Sequence, residues 1–233
     1  MSAYDSFAAD YDVWAAEMTG DVGWYVALAQ EAEEPIVELA VGTGRVAGAI
    51  ARETGKRVVG IDQSPAMLAV ARKHLGGLPV ELHEGDMRDF SLAEPADLVI
   101  CPARSLLHLP TWADRRRVFE RVAGALRPGG RFAWNAFAFS ASIAAGLDGK
   151  RNERADGLWE EIHNVAADSR IDLTRGRDAT THGTVSLWWA TKSEWEGLID
   201  VAGLEVEALY GGFDREPFDD AALEFVWVAR KPQ

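Results

Sequence analysis

Four short stretches hold the residues whose types and spacing can do chemistry. In Val37-Glu38-Leu39-Ala40-Val41-Gly42-Thr43-Gly44-Arg45 an apolar run carries one carboxylate and then passes through a glycine turn. Such a turn lets a ligand approach the backbone closely, with the N–H groups of a following helix nearby. Asp62 stands 20 residues after Gly42, at the end of the next apolar run. An acid in that place can accept from both hydroxyls of a ribose. In Glu84-Gly85-Asp86-Met87 a carboxylate can accept from the amino group of an adenine while a neighbouring N–H meets a ring nitrogen. The fourth stretch, Cys101-Pro102-Ala103-Arg104-Ser105-Leu106-Leu107-His108, ends in an imidazole, which titrates near neutrality and can take a proton from a substrate.

Each residue also has a plainer reading. Gly42 and Gly44 can form an ordinary tight turn, Asp62 can cap the next helix, and Glu38 can be a strand-end salt-bridge partner. Met67 can be core, and His108 can be a packed or loop-capping histidine. Cys101 closes an apolar run and reads as a buried, inert thiol. No H-x-x-H or paired-carboxylate metal-binding pattern occurs, so no metal is expected. Taken alone, Gly42-Thr43-Gly44-Arg45-Val46-Ala47 satisfies the G-x-G-x-x-A fingerprint, so NAD and S-adenosylmethionine both remain open as ligands.

The elements that must position these residues alternate through residue 138. Strands are predicted at Pro35–Leu39, Arg57–Ile61, Pro79–Glu84, Ala96–Cys101 and Gly130–Phe137. Helices are predicted at Gly44–Glu53, from the Ser64-Pro65 cap to about His74, and from about Thr111 to Leu126, ending at Arg127-Pro128-Gly129-Gly130. The alternation and the short connections predict a doubly wound α/β fold with a mainly parallel sheet. Residues 156–190 break the pattern with short alternating runs and read as two or three inserted antiparallel strands. Thr191-Lys192-Ser193-Glu194 is a capping box opening a helix that ends near Gly203. Leu204–Leu209 and Leu223–Ala229 then close the chain as a large hairpin.

Composition narrows the setting. A chain of 233 residues, 48% hydrophobic and 26% charged, is long enough to bury a core without disulfide or metal. Its single cysteine points to a reducing compartment. With an acidic N-terminus and no span of apolar residues suited to a membrane, it is expected in the cytoplasm. Asp and Glu number 37 against 24 Lys and Arg, a net charge of −13, which argues against nucleic acid and anionic membrane as partners. Arg115-Arg116-Arg117 is read as a solvated helix face. The acidic body suits a neutral or cationic small molecule better than a phosphorylated one. A monomer and a homodimer both remain open.

Three features separate the two cofactors. Glu38 precedes the first glycine by four residues, the Glu84-Gly85-Asp86-Met87 stretch follows strand three, and Ala125-Leu126-Arg127-Pro128-Gly129-Gly130-Arg131 precedes strand five. This set resembles a class I S-adenosylmethionine-dependent methyltransferase, and the likeness runs from residue 4 to about 137. Tyr4-Asp5, Ala8 and Tyr11-Asp12 resemble the N-terminal helix that closes over the cofactor in many small-molecule members.

The resemblance implies a Rossmann-like seven-stranded sheet whose C-terminal hairpin strand is antiparallel, with a small antiparallel insertion after strand five. It implies a helical cap over 1–34 and a methyltransferase domain over 35–233. S-adenosyl-L-methionine is the implied cofactor: Glu38, Ala40, Gly42 and Arg45 would surround the methionine end, and Tyr11 of the N-terminal helix would also bind it. Asp62 and Gln63 would hold the ribose and the adenine edge, with Met67 packed nearby, Asp86 and Met87 would hold adenine, and Pro102 would complete the site. The family's first loop glycine is Ala40 here, which implies slightly altered geometry. The chain lacks the D/N-P-P-Y/F of amino-methylating DNA and protein enzymes, and Cys101-Pro102 reverses the Pro-Cys of cytosine C5 enzymes.

The implied activity is methyl transfer to an O or N atom of a small-molecule acceptor. A regulator that binds the cofactor without transferring anything, and a nicotinamide-dependent oxidoreductase, are the rivals. His108 is the candidate base, in which case transfer should slow below about pH 6.5 as the imidazole protonates. Residues 156–190 are expected to roof the acceptor pocket or to meet a second subunit. Trp159, Trp188 and Trp189 are candidate roof residues, and His163 and His182 are structural or exposed.

Overall fold

In a computed structural model the chain is described at residues 4, 5, 8–154, 156–177 and 182–233. A short helix α1 (Tyr11–Trp14) leads into α2 (Val22–Glu31), β1 (Ile36–Leu39), α3 (Arg45–Thr54) and β2 (Val58–Asp62). Then come α4 (Pro65–His74), β3 (Val80–Glu84), β4 (Ala96–Cys101), α5 (Trp112–Ala125), β5 (Leu126–Phe137) and α6 (Ala141–Leu147). The strands β6 (Arg151–Glu153), β7 (Trp159–Val165), β8 (Arg170–Gly176) and β9 (His182–Trp188) precede α7 (Lys192–Val201), β10 (Glu205–Tyr210) and β11 (Glu224–Arg230).

The main sheet runs β10-β11-β5-β4-β1-β2-β3. The ladders from β5 through β4 and β1 to β2 and β3 are parallel, and β11 is antiparallel to both its neighbours. This is the mainly parallel sheet that the alternation predicts, with the antiparallel C-terminal strand that the resemblance implies. Period-two alternation explains why both faces are covered. Val37, Val99, Phe132, Trp134 and Trp227 join a core with α5 and α7, while their neighbours Ile36, Leu98, Ala133 and Val226 join a core with α2 and α3. The carboxyl ends of the parallel strands lie at the crevice where open α/β sheets bind ligands.

The predicted caps form as read. Ser64 Oγ accepts from Met67 N at 3.1 Å, with Pro65 at the first helical position, and Thr191 and Glu194 make the reciprocal capping box. Three local expectations need correction. β5 starts at Leu126 directly after α5, because Leu126 pairs with Ala96 before the ladder shifts to Leu98↔Arg131, so Arg127–Gly130 bulge out of the strand. The inserted sheet begins at Arg151 and has the order β6-β7-β8-β9, one short strand more than the alternation predicts. Arg115 is buried at 4% exposure, donates Nη2 to the Trp188 carbonyl and lies over the Trp195 ring, tying α5 to the insertion. Adjacent helical positions point in different directions, and only Arg116 and Arg117 face solvent, where they meet Glu120 and Asp89. Among the described residues no helix is long and apolar enough to cross a membrane.

Candidate active site

β1 delivers the glycine turn and β2 delivers Asp62, and hydrogen bonds fix the two against each other. Gly42 N donates to Asp62 Oδ2 at 2.8 Å, and Ser64 N donates to Oδ1 at 2.8 Å. Asp62 thus spans the turns after both strands. Burial raises its carboxyl above the usual range, and the two N–H donors pull the other way.

The turn itself is left-handed three times over, with φ of 54° at Ala40, 56° at Gly42 and 84° at Gly44. Ala40 therefore keeps a conformation that suits glycine, where a small departure in geometry was expected. A left-handed non-glycine residue costs roughly 1–2 kcal/mol, and glycine's extra freedom in the unfolded chain offsets about 0.4–1 kcal/mol of that. Ala40→Gly is expected to raise stability by about 0.5–1 kcal/mol in urea unfolding. An unchanged or lowered midpoint would show that Ala40 is unstrained.

The N-terminal segment is laced over this crevice by the Tyr-Asp pairs singled out above. Ser64 Oγ donates to Asp5 Oδ1 at 2.6 Å and Thr43 Oγ1 donates to Asp12 Oδ1 at 2.5 Å. The matching tyrosines, Tyr4 and Tyr11, stand edge to face with ring centroids 5.9 Å apart. Beneath lies a cavity of about 410 Å³. Of the candidate residues, Tyr11, Ala40, Gly42, Asp62, Gln63, Met67, Asp86, Met87 and His108 line it. Thr184, Ser186 and Trp188 of β9 line it too, so the insertion contributes a wall.

Glu38, Arg45 and Pro102 stand behind the lining. Arg45 grips Asp21 with both Nη atoms, at 2.6 and 2.7 Å, and donates to the Met18 carbonyl, anchoring the start of α2. Glu38 is buried at 3% exposure, its carboxyl pushed well above the carboxylate range by desolvation, and its Oε2 has no hydrogen-bond partner among the described residues. Pro102 packs under the next turn, where its carbonyl accepts from Ser105 Oγ at 2.6 Å. Asp86 is clasped by Arg88, whose Nε lies 3.0 Å from both carboxylate oxygens, and that pairing lowers its pKa. Cys101 is fully buried, and burial pushes its thiol up.

His108 sits at the end of a single 3-10 turn, Ser105–His108, with its ring facing the cavity. Its Nε2 is 2.9 Å from the Tyr4 hydroxyl, while the Ser186 backbone meets the ring as a hydrogen-bond partner. Arg175 of β8 hydrogen-bonds the same Tyr4 hydroxyl. With Arg175 as donor, the Tyr4 O–H points at Nε2, which leaves the other ring nitrogen to carry the proton. Burial lowers His108 to about 4, and the Arg175 charge adds to the effect. The expected loss of rate below pH 6.5 therefore has no titrating group behind it at His108. Burial likewise raises Tyr4. Arg175 carried no signal in the sequence, since its partner lies more than 170 residues away along the chain; Tyr4 was visible through its motif.

A second cavity, of about 560 Å³, lies between α6, the inserted sheet and the ends of β5 and β11, with Phe137, Phe139, Ile162 and Leu173 among its walls. Arg104 reaches it from a backbone that is left-handed at two successive non-glycine residues, Ala103 (56°) and Arg104 (61°). Such outliers persist where the surroundings over-determine them. Here Glu224 takes Arg104 Nε at 3.1 Å and Nη2 at 2.8 Å, and Asn135 Nδ2 donates to Glu224 Oε1 at 2.6 Å. Trp159 lines this second cavity and Trp188 the first, whereas Trp189 lines neither. His163 is exposed and faces Glu161 at 3.2 Å; the side chain of His182 lies outside the described residues.

Residues 36–130 match a family described as a methyltransferase domain. The chain is 30% identical to a dTDP-3-amino-3,6-dideoxy-alpha-D-glucopyranose N,N-dimethyltransferase of Streptomyces fradiae, over 76% of this chain and 72% of that one. It is 29% identical to a dTDP-4-amino-2,3,4,6-tetradeoxy-D-glucose N,N-dimethyltransferase of Saccharopolyspora spinosa, over 85% and 82% of the two chains. Its fold matches the CcbJ methyltransferase from Streptomyces caelestis with a TM-score of 0.87 at 24% identity, covering 100% of this chain and 99% of that one.

Proposed function

The chain belongs to the class I S-adenosylmethionine-dependent methyltransferases, and we propose that the acceptor atom it methylates is an amine nitrogen. As a member it is an enzyme that transfers a methyl group from S-adenosyl-L-methionine to a small-molecule acceptor. The first cavity suits that cofactor on its own features. Glu38 Oε2 is a buried acceptor without a partner beside the glycine turn, and a Cβ at Gly42 would meet nothing closer than the Ala40 carbonyl, at 3.9 Å. In this reading Asp62 and Gln63 hold the ribose and adenine edge, Asp86 and Met87 hold adenine, and Met67 packs nearby. Ala40 and Gly42 bring the backbone close to the methionine end, and Tyr11 covers it. Glu38 and Arg45 act from behind the turn, Glu38 as a buried polar group beside it and Arg45 by fixing the seat of α2, and Pro102 supports the loop after β4. Residues 1–34 serve as the cap and 35–233 as the catalytic domain.

When bound, the cofactor supplies an activated methyl on a good leaving group. The protein is left to orient the acceptor and exclude water. The observation that favours nitrogen over oxygen is the His108–Tyr4 pair. A hydroxyl acceptor gains from a base with a pKa near the working pH. His108, held at about 4 with its Nε2 already met by Tyr4, is a poor one. A neutral amine carries its own lone pair and asks only for positioning. Both relatives named above are N,N-dimethyltransferases, which points the same way.

The test is product mass after incubation with S-adenosylmethionine and acceptors matched in carbon skeleton but ending in amine or hydroxyl. Mass gains of one or two methyl groups are expected on the amines alone. Methylation of the alcohols at comparable rates would overturn the reading.

A further inference from the structure

We infer that the second cavity receives the body of the acceptor, and that this body is an uncharged arylalkyl group and not a phosphorylated or nucleotide-linked one. The inference rests on the amine reading above and deepens it. The two cavities share a segment of chain: Ala103 and Ser105 line the first and Arg104 between them lines the second. Tyr11 and Trp14, at the two ends of the short helix α1, divide in the same way. A space of about 560 Å³ lies within the range that encloses a small organic ligand.

Charge decides what kind of ligand. Anchoring a phosphate takes a guanidinium, an ammonium or a cluster of N–H groups that is free to meet it. Each arginine on this cavity is already matched by a carboxylate. Arg104 holds Glu224 at 2.8 Å, Arg175 holds Glu160 at 2.7 Å and Arg154 holds Asp156 at 3.2 Å. Arg175 also lies 3.3 Å over the centre of the Trp14 ring and Arg104 lies 4.1 Å over that of Phe137. These guanidiniums present their edges to acids and their faces to rings, so their charge is spent inside the wall. The rest of the lining is dominated by aromatic and branched aliphatic side chains, Phe139, Leu158, Ile162 and Leu173 among them. Two of these, Ile162 and Leu173, face each other across the β7–β8 ladder. A flat or bulky hydrocarbon body gains by leaving water here, whereas a diphosphate would have to break a paired arginine to enter.

The test uses 2-(1-naphthyl)ethylamine and a dTDP-linked amino sugar as probes, each titrated calorimetrically into the full chain saturated with S-adenosylhomocysteine. The naphthyl amine is expected to bind at least tenfold more tightly than the sugar nucleotide. Leu173→Arg is expected to weaken it at least tenfold while leaving the S-adenosylhomocysteine affinity unchanged. Should that variant lose S-adenosylhomocysteine binding as well, Phe139→Ala replaces it, with a severalfold loss of naphthyl amine affinity expected. Tighter binding of the sugar nucleotide, or naphthyl amine binding indifferent to the wall substitutions, overturns the inference. If the naphthyl amine binds as expected but gains no methyl group with S-adenosylmethionine, the amine reading fails and the assignment of the cavity stands.

Discussion

Asp62→Ala is expected to weaken S-adenosylhomocysteine binding by about 10- to 150-fold, the loss that follows from deleting a charged hydrogen-bond partner worth roughly 1.5–3 kcal/mol. Two losses converge. The ribose reading gives the carboxylate two hydroxyls to accept from. Independently of any ligand, its oxygens hold Gly42 N and Ser64 N, both at 2.8 Å, so alanine also frees the glycine turn from the start of α4. Asp62→Asn separates the contributions. An amide offers a single acceptor oxygen, so one of the two N–H groups faces an NH₂ and the turn is half held. Calorimetric titration should rank the parent first, the asparagine variant second and the alanine variant last, with all three folded by circular dichroism. Parent-like affinity in the alanine variant would remove Asp62 from the cofactor site.

Much of this arrangement is legible in the chain because it is local or periodic. Ser64-Pro65 and Thr191-Lys192-Ser193-Glu194 state their caps within four residues, and the strand alternation states two covered faces. The Tyr4-Asp5 and Tyr11-Asp12 pairs are visible as a repeat, although the sequence does not say that the acids grip Ser64 and Thr43 while the rings line a cavity. Contacts made only by tertiary packing are not legible. Arg115 reads as one of three surface arginines until β9 brings the Trp188 carbonyl over it. Arg104 and Glu224, which neutralise each other beside the second cavity, are separated by 120 residues. β5 begins early because pairing with Ala96 outweighs the break that Pro128 and two glycines announce. At Ala40 the residue type argues against a left-handed turn, yet the ladder on one side and α3 on the other impose one. That is an instance of local preference yielding at the proposed cofactor site.

The equilibrium consequence of burying His108 gives the other large effect. Its folded pKa, about 4, lies below the ordinary value of 6.5, so the unfolded chain binds more protons between those limits. Stability from keeping this ring neutral is therefore complete above about pH 6.5 and is lost as the pH falls toward 4. The full window corresponds to up to about 3 kcal/mol, and acidification to pH 5 to about 2 kcal/mol. Other buried groups act in the opposite sense. Glu38, Asp62 and Glu224 have carboxyls raised by burial, so the folded state holds their protons more readily and acid favours it. The parent's own acid slope is the sum of these and does not identify any one of them.

A comparison with His108→Asn does, because asparagine cannot titrate yet can still bond Tyr4. Urea unfolding of both proteins at pH 7 and pH 5 should show the parent's advantage over the variant shrinking by about 2 kcal/mol on acidification. A constant difference would mean that water in the cavity keeps His108 near its ordinary pKa. In that case it regains the basicity for proton transfer, and an inflection near pH 6.5 should return to the rate profile. With the ring neutral throughout, the rate instead climbs with pH only as the acceptor amine loses its own proton, and levels off above that amine's pKa.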